Sequence, residues 1–517
     1  MFIPTTAEEL SALKWGQLDI ILVTGDAYVD SPFIGVAVIA RVLQDKGYKV
    51  GVIGQPDITC EKDITRLGEP KLFWGVTAGS VDSMVANFTA LQKRINNDDM
   101  TPGGENDRRP DRAVIAYTNL IKKYNKNKKP IVLGGLEASL RRVSHYDYWS
   151  DKIRRSVLFD AKADILVYGM GEKAVLALAD AFRGGKDPRD IRGICYASAE
   201  AKPGYLVLPS YEETLADKNK FMEMFKVFYE NNDCKTALGL CQKQDTRYLI
   251  QNPPSENLTT VELDKVYELG YEREAHPYYA AQGEIRALET IRFSVTSHRG
   301  CYGECNFCSI TAHQGTTVVS RSEDSIIKEV KGIVQMKNFK GYITDIGGPT
   351  ANMYGIECTK KQTSGMCSDK RCLFPQKCKN LEIDHLKQLS LLRRLRQIKE
   401  IKKVFIASGI RYDMVFEDKK RGLDYINELA EHHVSGQLKI APEHSEFEVL
   451  KLMGKPSKEY LEYFKHHFDE ANTRAGKRQF LSYYFVAAHP GCNEQDMRHP
   501  ASYAAKTLHP RPEQVQV

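Results

Sequence analysis

Short apolar runs that alternate with helical patterns constrain the fold of this chain more than any other feature of its sequence. Between several of the runs lie amphipathic patterns, such as residues 33–47 (FIGVAVIARVLQDKG) and residues 172–184 (EKAVLALADAFRG). Strands that alternate with helices form a parallel sheet with helices on both faces. We therefore predict an α/β protein whose first half is a doubly wound, Rossmann-like domain. The predicted strands are residues 18–24, 49–53, 72–76, 131–133, 164–168 and 193–197.

Length and composition set the domain count and the class of protein. A chain of 517 residues is too long for one compact core and predicts two or three domains. Its net charge of +6 permits contact with nucleic acid but does not favour it. No segment approaches the roughly 18 apolar residues of a membrane span, and no signal-peptide pattern opens the sequence, so we expect a cytoplasmic protein with no membrane partner. The predicted boundaries are 1–216 for the Rossmann-like domain, 217–286 for a helical and irregular connecting segment, and 287–517 for the second domain.

Glycine-rich loops follow several of the predicted strands, with the sequences GDAYVDSP, GGLEAS and GMGE. Ligands of parallel sheets bind beyond the carboxyl ends of the strands, and glycine lets the backbone approach a ligand closely. We predict that these loops contact a substrate or a cofactor. The alternative is that they are only tight turns and helix caps. The candidate residues are Asp26, Tyr28, Gly134, Gly135 and Gly169.

Three cysteines stand close together directly after another predicted strand. Cys301, Cys305 and Cys308 have the spacing C-x3-C-x2-C. In a reducing compartment, clustered cysteines are more often metal ligands or catalytic groups than disulfides. Structural zinc needs four protein ligands, and the nearest further candidates are His298 and His313. An iron–sulfur cube can use three thiolates and leave its fourth iron open for a substrate or cofactor, so the spacing favours such a cluster.

The segment CYGECNFC, with an aromatic residue just before its third cysteine, resembles the signature of radical S-adenosylmethionine (SAM) enzymes. The resemblance implies that the open iron of a [4Fe–4S] cluster chelates the amino and carboxylate groups of SAM. One electron, from a donor such as flavodoxin or ferredoxin, then cleaves the sulfonium to methionine and a 5′-deoxyadenosyl radical. The strands and helices that alternate after the motif resemble the family's partial (β/α)6 barrel, which we expect within residues 287–517.

Further residues match positions that bind SAM in the same family. Gly347 and Gly348, in DIGGPT, resemble the glycine pair that faces the SAM amino group, with Pro349 in place of the usual acid. Polar and charged residues also stand at strand ends where family members bond the ribose and carboxylate of SAM. The alternative interpretation of these residues is a salt-bridge network at the rim of the barrel. They are Ser408, Arg411, Asp413 and Glu443.

Several longer segments narrow the resemblance to the YgiQ-type radical SAM proteins, among them LGGLEASLRRVSHYDYWSDKIRRS, ADILVYGMGE and AAHPGC. In this subfamily the first domain is similar to cobalamin-binding domains, so cobalamin is a candidate cofactor. Common cobalamin domains offer a histidine two residues after an aspartate, whereas Tyr28 follows Asp26 here. Either cobalamin binds without a protein ligand, or the domain has another purpose. Family members continue beyond the segment that resembles RPEQVQ, so we expect a shortened form whose barrel stops at the opening of its sixth strand.

A second group of cysteines follows DIGGPT, in the segment CTKKQTSGMCSDKRCLFPQKC at residues 358–378. A segment so polar would not bury its thiols as core residues, whereas a metal would supply the fold that it lacks. Its gaps of eight, four and five residues differ from the paired short spacings of zinc sites. We therefore expect an auxiliary iron–sulfur cluster, with zinc and unligated thiols as alternatives. The four residues are Cys358, Cys367, Cys372 and Cys378.

These features together predict a radical SAM enzyme that acts on an unknown substrate. One alternative is a methyl- or methylthio-transferase that modifies RNA, for which a basic stretch such as residues 392–403 would be suited. That stretch is more simply an amphipathic helix with a solvated basic face. Another alternative is a non-catalytic iron–sulfur or zinc sensor. Loops whose shape the sequence does not give would choose the substrate.

Overall fold

A computed structural model of the chain describes residues 1–503 and 514–516. The chain forms two compact units. The first unit comprises residues 1–257 and 269–292, and the second comprises residues 258–268 and 293–517. Residues 217–286, which the sequence suggested as a connecting segment, therefore contribute to both units.

The first unit is built on a nine-stranded sheet. In chain order its strands are β1 (Ile20–Thr24), β2 (Val50–Gly54), β3 (Phe73–Thr77), β4 (Ile131–Leu133), β5 (Ile165–Val167), β6 (Ile194–Ser198), β7 (Leu206–Leu208), β8 (Leu240–Gln244) and β9 (Arg247–Gln251). Their order across the sheet is β7-β8-β9-β6-β5-β4-β3-β1-β2. All neighbours from β5 to β2 are parallel. The pairs β5–β6, β6–β9 and β8–β9 are antiparallel.

The parallel part of this sheet fixes where a ligand would bind. Its order, β2-β1-β3-β4-β5, is that of doubly wound sheets, in which ligands bind at the point where the strand order reverses. That point lies between the carboxyl ends of β1 and β3. The predicted α/β fold with a parallel-dominated sheet is therefore present, and each of the six predicted strands begins and ends within two residues of its predicted bounds.

Helices cover the sheet, and all five residues of β1 are buried, as expected for a strand that is covered on both faces. Two small antiparallel pairs, Val29–Asp30 with Glu274–Ala275 and His145–Asp147 with Lys152–Arg154, lie outside the main sheet. The helices of the first unit are Ala7–Ala12, Gly35–Asp45, Lys62–Thr65, Ser83–Asn87, Ala113–Tyr124, Gly135–Leu140, Val157–Ala161, Glu172–Arg183, Tyr211–Ala216, Lys218–Glu230, Pro277–Ala280 and Leu288–Ile291.

The first residues of the chain lie along β2, which is an edge strand of the sheet. The Val52 N–H donates to the Pro4 carbonyl at 3.0 Å. The Thr5 hydroxyl donates to the Val52 carbonyl at 2.8 Å, and Ile3 is fully buried. This segment therefore satisfies backbone groups that an edge strand would otherwise present to solvent.

The second unit contains parallel strand pairs that follow one another along the chain. Its strands are β10 (Ser294–Thr296), β11 (Tyr342–Ile343), β12 (Asp345–Gly347), β13 (Lys403–Val404), β14 (Gln437–Glu443), β15 (Phe480–Val486) and β16 (Gln514–Gln516). β10 pairs with β12, β11 with β13, β14 with β15, and β15 with β16, each in parallel. Ile410 forms an isolated parallel bridge to Ile440. The predicted partial barrel, with its strand number, its closure and the sixth strand expected near the end of the chain, stays a prediction.

Apolar residues of these strands and of the surrounding helices form the core of the second unit, which includes Val295, Ile346, Val404 and Leu438. A short antiparallel pair, His298–Arg299 with Val319–Ser320, follows β10. In the described part of the chain, no helix is both long enough and apolar enough to cross a membrane. The helices of the second unit are Thr260–Tyr267, Ile310–Gln314, Glu323–Val334, Ala351–Met353, Thr359–Ser364, Leu386–Arg396, Tyr412–Glu417, Gly422–Glu428, Leu429–His433, Phe447–Met453, Lys458–Arg474 and Glu494–Tyr503.

Candidate active site

The three cysteines of the C-x3-C-x2-C motif lie in the loop between β10 and the helix Ile310–Gln314, here called the cysteine loop (residues 298–309). Cys301 is buried, whereas Cys305 and Cys308 are partly exposed. The Cys308 N–H donates to the Cys305 carbonyl at 3.0 Å. Burial raises the pKa of Cys301 and raises that of Cys308 to about 11. The free thiols of Cys301 and Cys308 are therefore protonated at neutral pH, and a bound metal would displace their protons.

Gly303 leaves a space between two of the thiols that any other residue would fill. A Cβ atom at Gly303 would lie 3.3 Å from Cys301 Sγ, 3.5 Å from Cys305 Sγ and 3.1 Å from Arg411 Nη1. The Gly303 N–H donates to Cys301 Sγ at 3.3 Å, and Arg411 Nη1 donates to Cys305 Sγ at 3.5 Å. Hydrogen bonds from a backbone N–H and from a guanidinium stabilise thiolate charge. The residues of the cysteine loop therefore fit an iron–sulfur cluster bound through thiolates.

Side chains pack closely against the glycine pair at the end of β12. A Cβ atom at Gly347 would lie 2.2 Å from Ser408 Oγ, and one at Gly348 would lie 2.5 Å from His298 Cε1. His298 is fully buried, and its Nδ1 lies 2.9 Å from Ser297 Oγ, which also donates to the Gly347 carbonyl at 2.9 Å. Burial lowers the pKa of His298 to about 4, so its ring is neutral. His298, which the sequence offered as a zinc ligand, therefore packs against Gly348.

Asp345, the first residue of β12, accepts hydrogen bonds from the segment that follows β13. Its Oδ1 accepts the N–H of Ala407 at 2.8 Å and the N–H of Ser408 at 3.2 Å. Its other oxygen accepts the Ser408 hydroxyl. Burial raises the pKa of Asp345. Ser408 thus lies beside Gly347, as predicted for two parts of one site, but its hydroxyl is engaged by Asp345.

Two further predicted residues form a buried ion pair at the cysteine loop. Arg411 Nε lies 2.8 Å from Asp413 Oδ1, and Arg411 Nη2 lies 2.5 Å from Asp413 Oδ2. Glu443 has a left-handed φ of 69°, and its carboxylate lies 3.7 Å from Lys455 Nζ. Burial raises the pKa of Glu443. Ion pairs of the kind weighed in the sequence are thus present, Arg411 also donates to the thiol of Cys305, and the binding of SAM by these residues stays a prediction.

A chain of hydrogen bonds holds the Arg411 backbone in place. Asn352 Oδ1 accepts the Arg411 N–H at 2.8 Å, and Asn352 Nδ2 donates to the Arg411 carbonyl at 3.0 Å. His385 Nε2 lies 3.2 Å from Asn352 Nδ2, and His385 Nδ1 lies 2.7 Å from Asp418 Oδ2. Burial alone would raise the pKa of Asp418, but hydrogen bonds from His385 outweigh it and hold the pKa at about 2. The ionised Asp418 therefore orients His385 and, through Asn352, the arginine at the thiols.

The Cys-rich insert, residues 358–378, packs beside the cysteine loop. Cys358 and Cys372 are buried, whereas Cys367 and Cys378 are partly exposed. Cys301, Cys358 and Cys372 belong to one apolar cluster, against which Cys378 also packs. Burial raises the pKa of Cys372 to about 11. The sequence expected that a segment so polar would not bury thiols, and the structure buries two of them against residues from outside the insert.

The spacing of the insert thiols bears on the choice of metal. Zn–S bonds of about 2.3 Å place the sulfurs of a tetrahedral site about 3.8 Å apart. Among residues 1–503 and 514–516, the trio of His, Cys, Asp or Glu side chains whose ligand atoms all lie within 4.8 Å of one another is His466, His467 and Glu470, on the surface. No three insert thiols are therefore gathered at zinc distances.

A buried ion-pair group fills the point between β1 and β3 in the first unit. Arg109 Nη2 lies 2.7 Å from Asp26 Oδ1 and 3.1 Å from Asp98 Oδ2. The Arg109 Nε–H donates to the Gly25 carbonyl at 3.2 Å, and the Ser80 N–H donates to Asp26 Oδ2 at 2.6 Å. Burial raises the pKa of Asp26. The protein's own buried side chains therefore lie at the point where doubly wound sheets bind ligands.

The other candidates of the first unit lie at or near the carboxyl ends of its strands. The Tyr28 hydroxyl is buried and donates to Asp30 Oδ1 at 3.2 Å, so neither Tyr28 nor Asp26 fits as a cobalt ligand. A Cβ atom at Gly135, whose φ is 83°, would lie 2.3 Å from Thr77 Oγ1 at the end of β3. Gly134 directly follows β4. Gly169 follows β5, and its N–H donates to Ser139 Oγ at 3.1 Å. That these residues contact a ligand stays a prediction.

Comparison with known proteins identifies the class that this fold and site define. Residues 2–294 match the family described as Radical SAM N-terminal. The structure is similar to that of TsrM, a radical SAM methyltransferase from Kitasatospora setae, with a TM-score of 0.54 at 14% sequence identity over 96% of this chain and 72% of that one. Identity this low shows likeness of fold alone. The match to the family, which covers more than half of the chain, shows a radical SAM protein, a class whose cofactors are a [4Fe–4S] cluster and SAM.

Within this class the chain belongs to the UPF0313 family, the YgiQ type that its sequence resembles. It is 54% identical to a UPF0313 protein of Fusobacterium nucleatum over all of this chain and 91% of that protein. It is 49% identical to a UPF0313 protein of Thermotoga petrophila, again over 100% of this chain and 91% of the relative. A UPF0313 protein of Methanocella arvoryzae is 46% identical over 96% of this chain and 83% of its own length.

Several residues that build these sites were not singled out from the sequence. Arg109 lies in a polar segment, residues 91–112, that carries no recognisable motif. Asp345 and Asn352 flank the glycine pair, and Lys361 lies between two insert cysteines. Arg109, Asp345 and Asn352 each contact a predicted residue that is remote in the chain, such as Asp26, which is 83 positions from Arg109. The one available signal was their place beside a motif.

Proposed function

We propose that Cys301, Cys305 and Cys308 hold a [4Fe–4S] cluster whose open iron binds SAM, and that the chain is an enzyme. The observation that carries the proposal is the space at Gly303, where a Cβ atom would lie within 3.5 Å of two thiols. On one-electron reduction the cluster would supply the cleavage of SAM to methionine and a 5′-deoxyadenosyl radical, which takes a hydrogen atom from the substrate.

The residues at the neighbouring strand ends are proposed to hold SAM. Gly347 and Gly348 would present backbone to the SAM amino group. Arg411 would face the SAM carboxylate, since its guanidinium already lies 3.5 Å from Cys305 Sγ. The other residues proposed to bind SAM are Ser408, Asp413 and Glu443. They would bind the ribose or act by positioning Arg411.

The test uses protein reconstituted with iron and sulfide without oxygen and then reduced in the presence of SAM. We expect broad iron–sulfur absorption and formation of 5′-deoxyadenosine in the wild type, and in Cys305→Ala a loss of 5′-deoxyadenosine formation together with a lower iron content. A matched control is Cys60→Ala, a partly exposed thiol of the first unit that bonds Asp57. Undiminished SAM cleavage in Cys305→Ala would contradict the assignment. Iron binding without SAM cleavage in the wild type would instead favour a sensor.

We propose that the insert thiols Cys358, Cys367, Cys372 and Cys378 hold an auxiliary iron–sulfur cluster. Three of these thiols, Cys358, Cys372 and Cys378, meet at one apolar cluster beside the cysteine loop, and the absence of zinc-like spacing among the described thiols favours a larger cluster. The test uses protein with the three cysteine-loop thiols changed to Ala. Uptake of about four irons supports the auxiliary cluster, whereas one zinc and no iron would assign a structural site. Neither metal would leave unligated thiols.

The first unit is proposed to contact the substrate at its strand ends, through Gly134, Gly135, Gly169 and the loops around Asp26 and Tyr28. Because neither Asp26 nor Tyr28 fits as a cobalt ligand, cobalamin would bind here without a protein ligand to its cobalt. Equilibrium dialysis with hydroxocobalamin tests it, and absence of binding to folded protein leaves the substrate or scaffold roles. A flavodoxin or ferredoxin of the cytoplasm is the proposed electron donor, and replacing it with a chemical reductant should preserve SAM cleavage.

The RNA-modifying alternative has weaker support because the basic helix Leu386–Arg396 is neutralised. Arg393 and Arg396 pair with Glu428 at 3.0 and 2.9 Å, and Arg394 pairs with Glu323 at 2.6 Å. Paired arginines have less charge to offer to phosphates. Comparison of metabolites and RNA nucleosides between cells with and without the protein decides between the substrate classes. Loss of one modified nucleoside would favour RNA.

A further inference from the structure

The residues between Cys301 and Cys305 contact both the cysteine-loop thiols and the Cys-rich insert. Gly303 lies against the thiols of Cys301 and Cys305. Tyr302 packs in the apolar cluster that contains Cys358 and Cys372 together with Cys301. Tyr302 is fully buried, its hydroxyl donates to the Ile356 carbonyl at 3.2 Å, and its N–H meets Met353 Sδ at 3.4 Å. Residues 302–304, here called the spacer, therefore bring the motif into contact with the Cys-rich insert.

Glu304 completes this contact through a buried ion pair with the insert. Its Oε1 lies 3.4 Å from Lys361 Nζ, and the two side chains are 4% and 2% exposed. Lys361 also donates to the Thr316 carbonyl at 2.9 Å, and its ammonium lies 5.6 Å from the centre of the Tyr302 ring. Arg371, a second cation of the insert, donates to the Glu304 carbonyl at 3.1 Å.

Two features show that this arrangement is more than a surface salt bridge. Both charges are removed from water, and removal of one partner of such a pair leaves an uncompensated buried charge. Glu304 also has a φ of 47°, a left-handed conformation that a residue with a side chain adopts only when its surroundings enforce it. The cations that surround Glu304, Lys361 and Arg371, both belong to the insert. The insert therefore enforces the conformation of the spacer.

We propose that the Cys-rich insert positions the cysteine loop for its cluster, and that Glu304 and Lys361 are the positioning residues. The proposal rests on the proposed function, in which Cys301 and Cys305 are cluster ligands. Lys361 lies on the helix Thr359–Ser364, directly after Cys358. An ordered insert fixes the position of Lys361. The Lys361–Glu304 ion pair then fixes the loop that carries Cys301 and Cys305. Assembly of the insert promotes retention of the SAM cluster.

The experiment compares Lys361→Met with Lys360→Met, its exposed neighbour on the same helix. In metal-free protein, the rate of alkylation of Cys305 by iodoacetamide is followed by peptide mass spectrometry. We expect Lys361→Met to raise this rate about tenfold, the factor that corresponds to about 1.4 kcal/mol, and Lys360→Met to leave it unchanged. In reconstituted protein, Lys361→Met should release iron to a chelator faster than Lys360→Met.

A second variant covers the case in which Lys361→Met fails to fold. Glu304→Gln combined with Lys361→Met removes both charges, so it should fold and still free the loop, because the neutral pair no longer binds. Equal alkylation rates in the double variant, Lys360→Met and wild type would overturn the inference. If the wild type shows the expected protection of Cys305 but binds no iron there, the proposed function fails while the positioning role stands.

Discussion

In the candidate site, His298 restricts which residue can occupy position 348. The His298 ring occupies the place where a Cβ atom at residue 348 would lie, 2.5 Å away. Protein interiors are close-packed, so such an overlap shifts backbone or side chain and costs free energy. The second glycine of the pair at residues 347 and 348 is thus required by its neighbour even before a ligand binds.

Gly348→Ala should therefore destabilise the metal-free protein by about 1–3 kcal/mol through overpacking. Adding His298→Ala to it should recover part of that loss, because the ring that the new methyl group meets is gone. The control is Gly409→Ala, whose Cβ would meet nothing within 4 Å. Urea unfolding measures the wild type, Gly348→Ala, His298→Ala, the double variant and the Gly409→Ala control, and strictly additive losses in the cycle would contradict the coupling.

Asp418 gives the second unit a dependence on pH. Its folded pKa of about 2 lies below the value of about 3.9 for an unfolded aspartate. A depressed folded pKa means that the stabilisation is fully present above the unfolded pKa and is lost as pH falls through the folded pKa. Asp418→Asn should therefore lower the free energy of unfolding by about 2 kcal/mol at pH 6 and by much less near pH 2.

Urea titrations at pH 6 and at low pH check this expectation, with the exposed Asp424→Asn as control. A loss in Asp418→Asn that stays equal at both pH values would show that packing, and not ionisation, is responsible. The hydrogen bonds from Asp418 through His385 and Asn352 also reach Arg411, so the variant should loosen the arginine at the thiols.

At the scale of elements, the loop between β3 and the helix Ala113–Tyr124 closes the end of its own sheet. Its Arg109 is 2% exposed and pairs with Asp26 and Asp98. Arg109→Met should leave two buried carboxylates without their cation and destabilise the protein by about 3–5 kcal/mol. Arg108→Met, which removes an exposed bond to Gln282, should change little. Similar unfolding midpoints for the two variants would refute this role for Arg109.

The strands illustrate what the sequence could predict. Buried strands are continuous apolar runs, so β1 to β6 could be located from their composition. The apolar run at residues 404–408 pairs only at its start, where β13 is Lys403–Val404, because Asp345 takes the N–H groups of Ala407 and Ser408. The hairpin of β8 and β9 was missed, since three of the five residues of β8 are polar.

The site shows the same division between local and remote information. The cysteine spacing and the glycine pair are local patterns with a chemical meaning, so Cys301, Cys305, Cys308, Gly347 and Gly348 could be proposed from sequence. The partners that hold them depend on the fold. Lys361 and Glu304 are 57 positions apart, and nothing in either local sequence specifies their pairing.

At the scale of the whole molecule, each unit has apolar cores of its own. Units with separate cores can unfold as separate cooperative transitions. Scanning calorimetry of the metal-free protein should therefore resolve two transitions. Arg109→Met should lower the midpoint of one of them, and Asp418→Asn should lower the other. A single transition, or a shift of both midpoints by either variant, would show that the units unfold together.

The segment that runs along β2 has a practical consequence for anyone who prepares this protein. Pro4 and Thr5 occupy hydrogen-bonding positions of Val52 that a strand from another molecule could otherwise take. Bulky fusion partners placed directly before Met1, or removal of the first six residues, should expose β2 to cross-chain strand addition. Light scattering of such preparations should then show association that grows with concentration, whereas a tag at the other end of the chain should leave this edge covered.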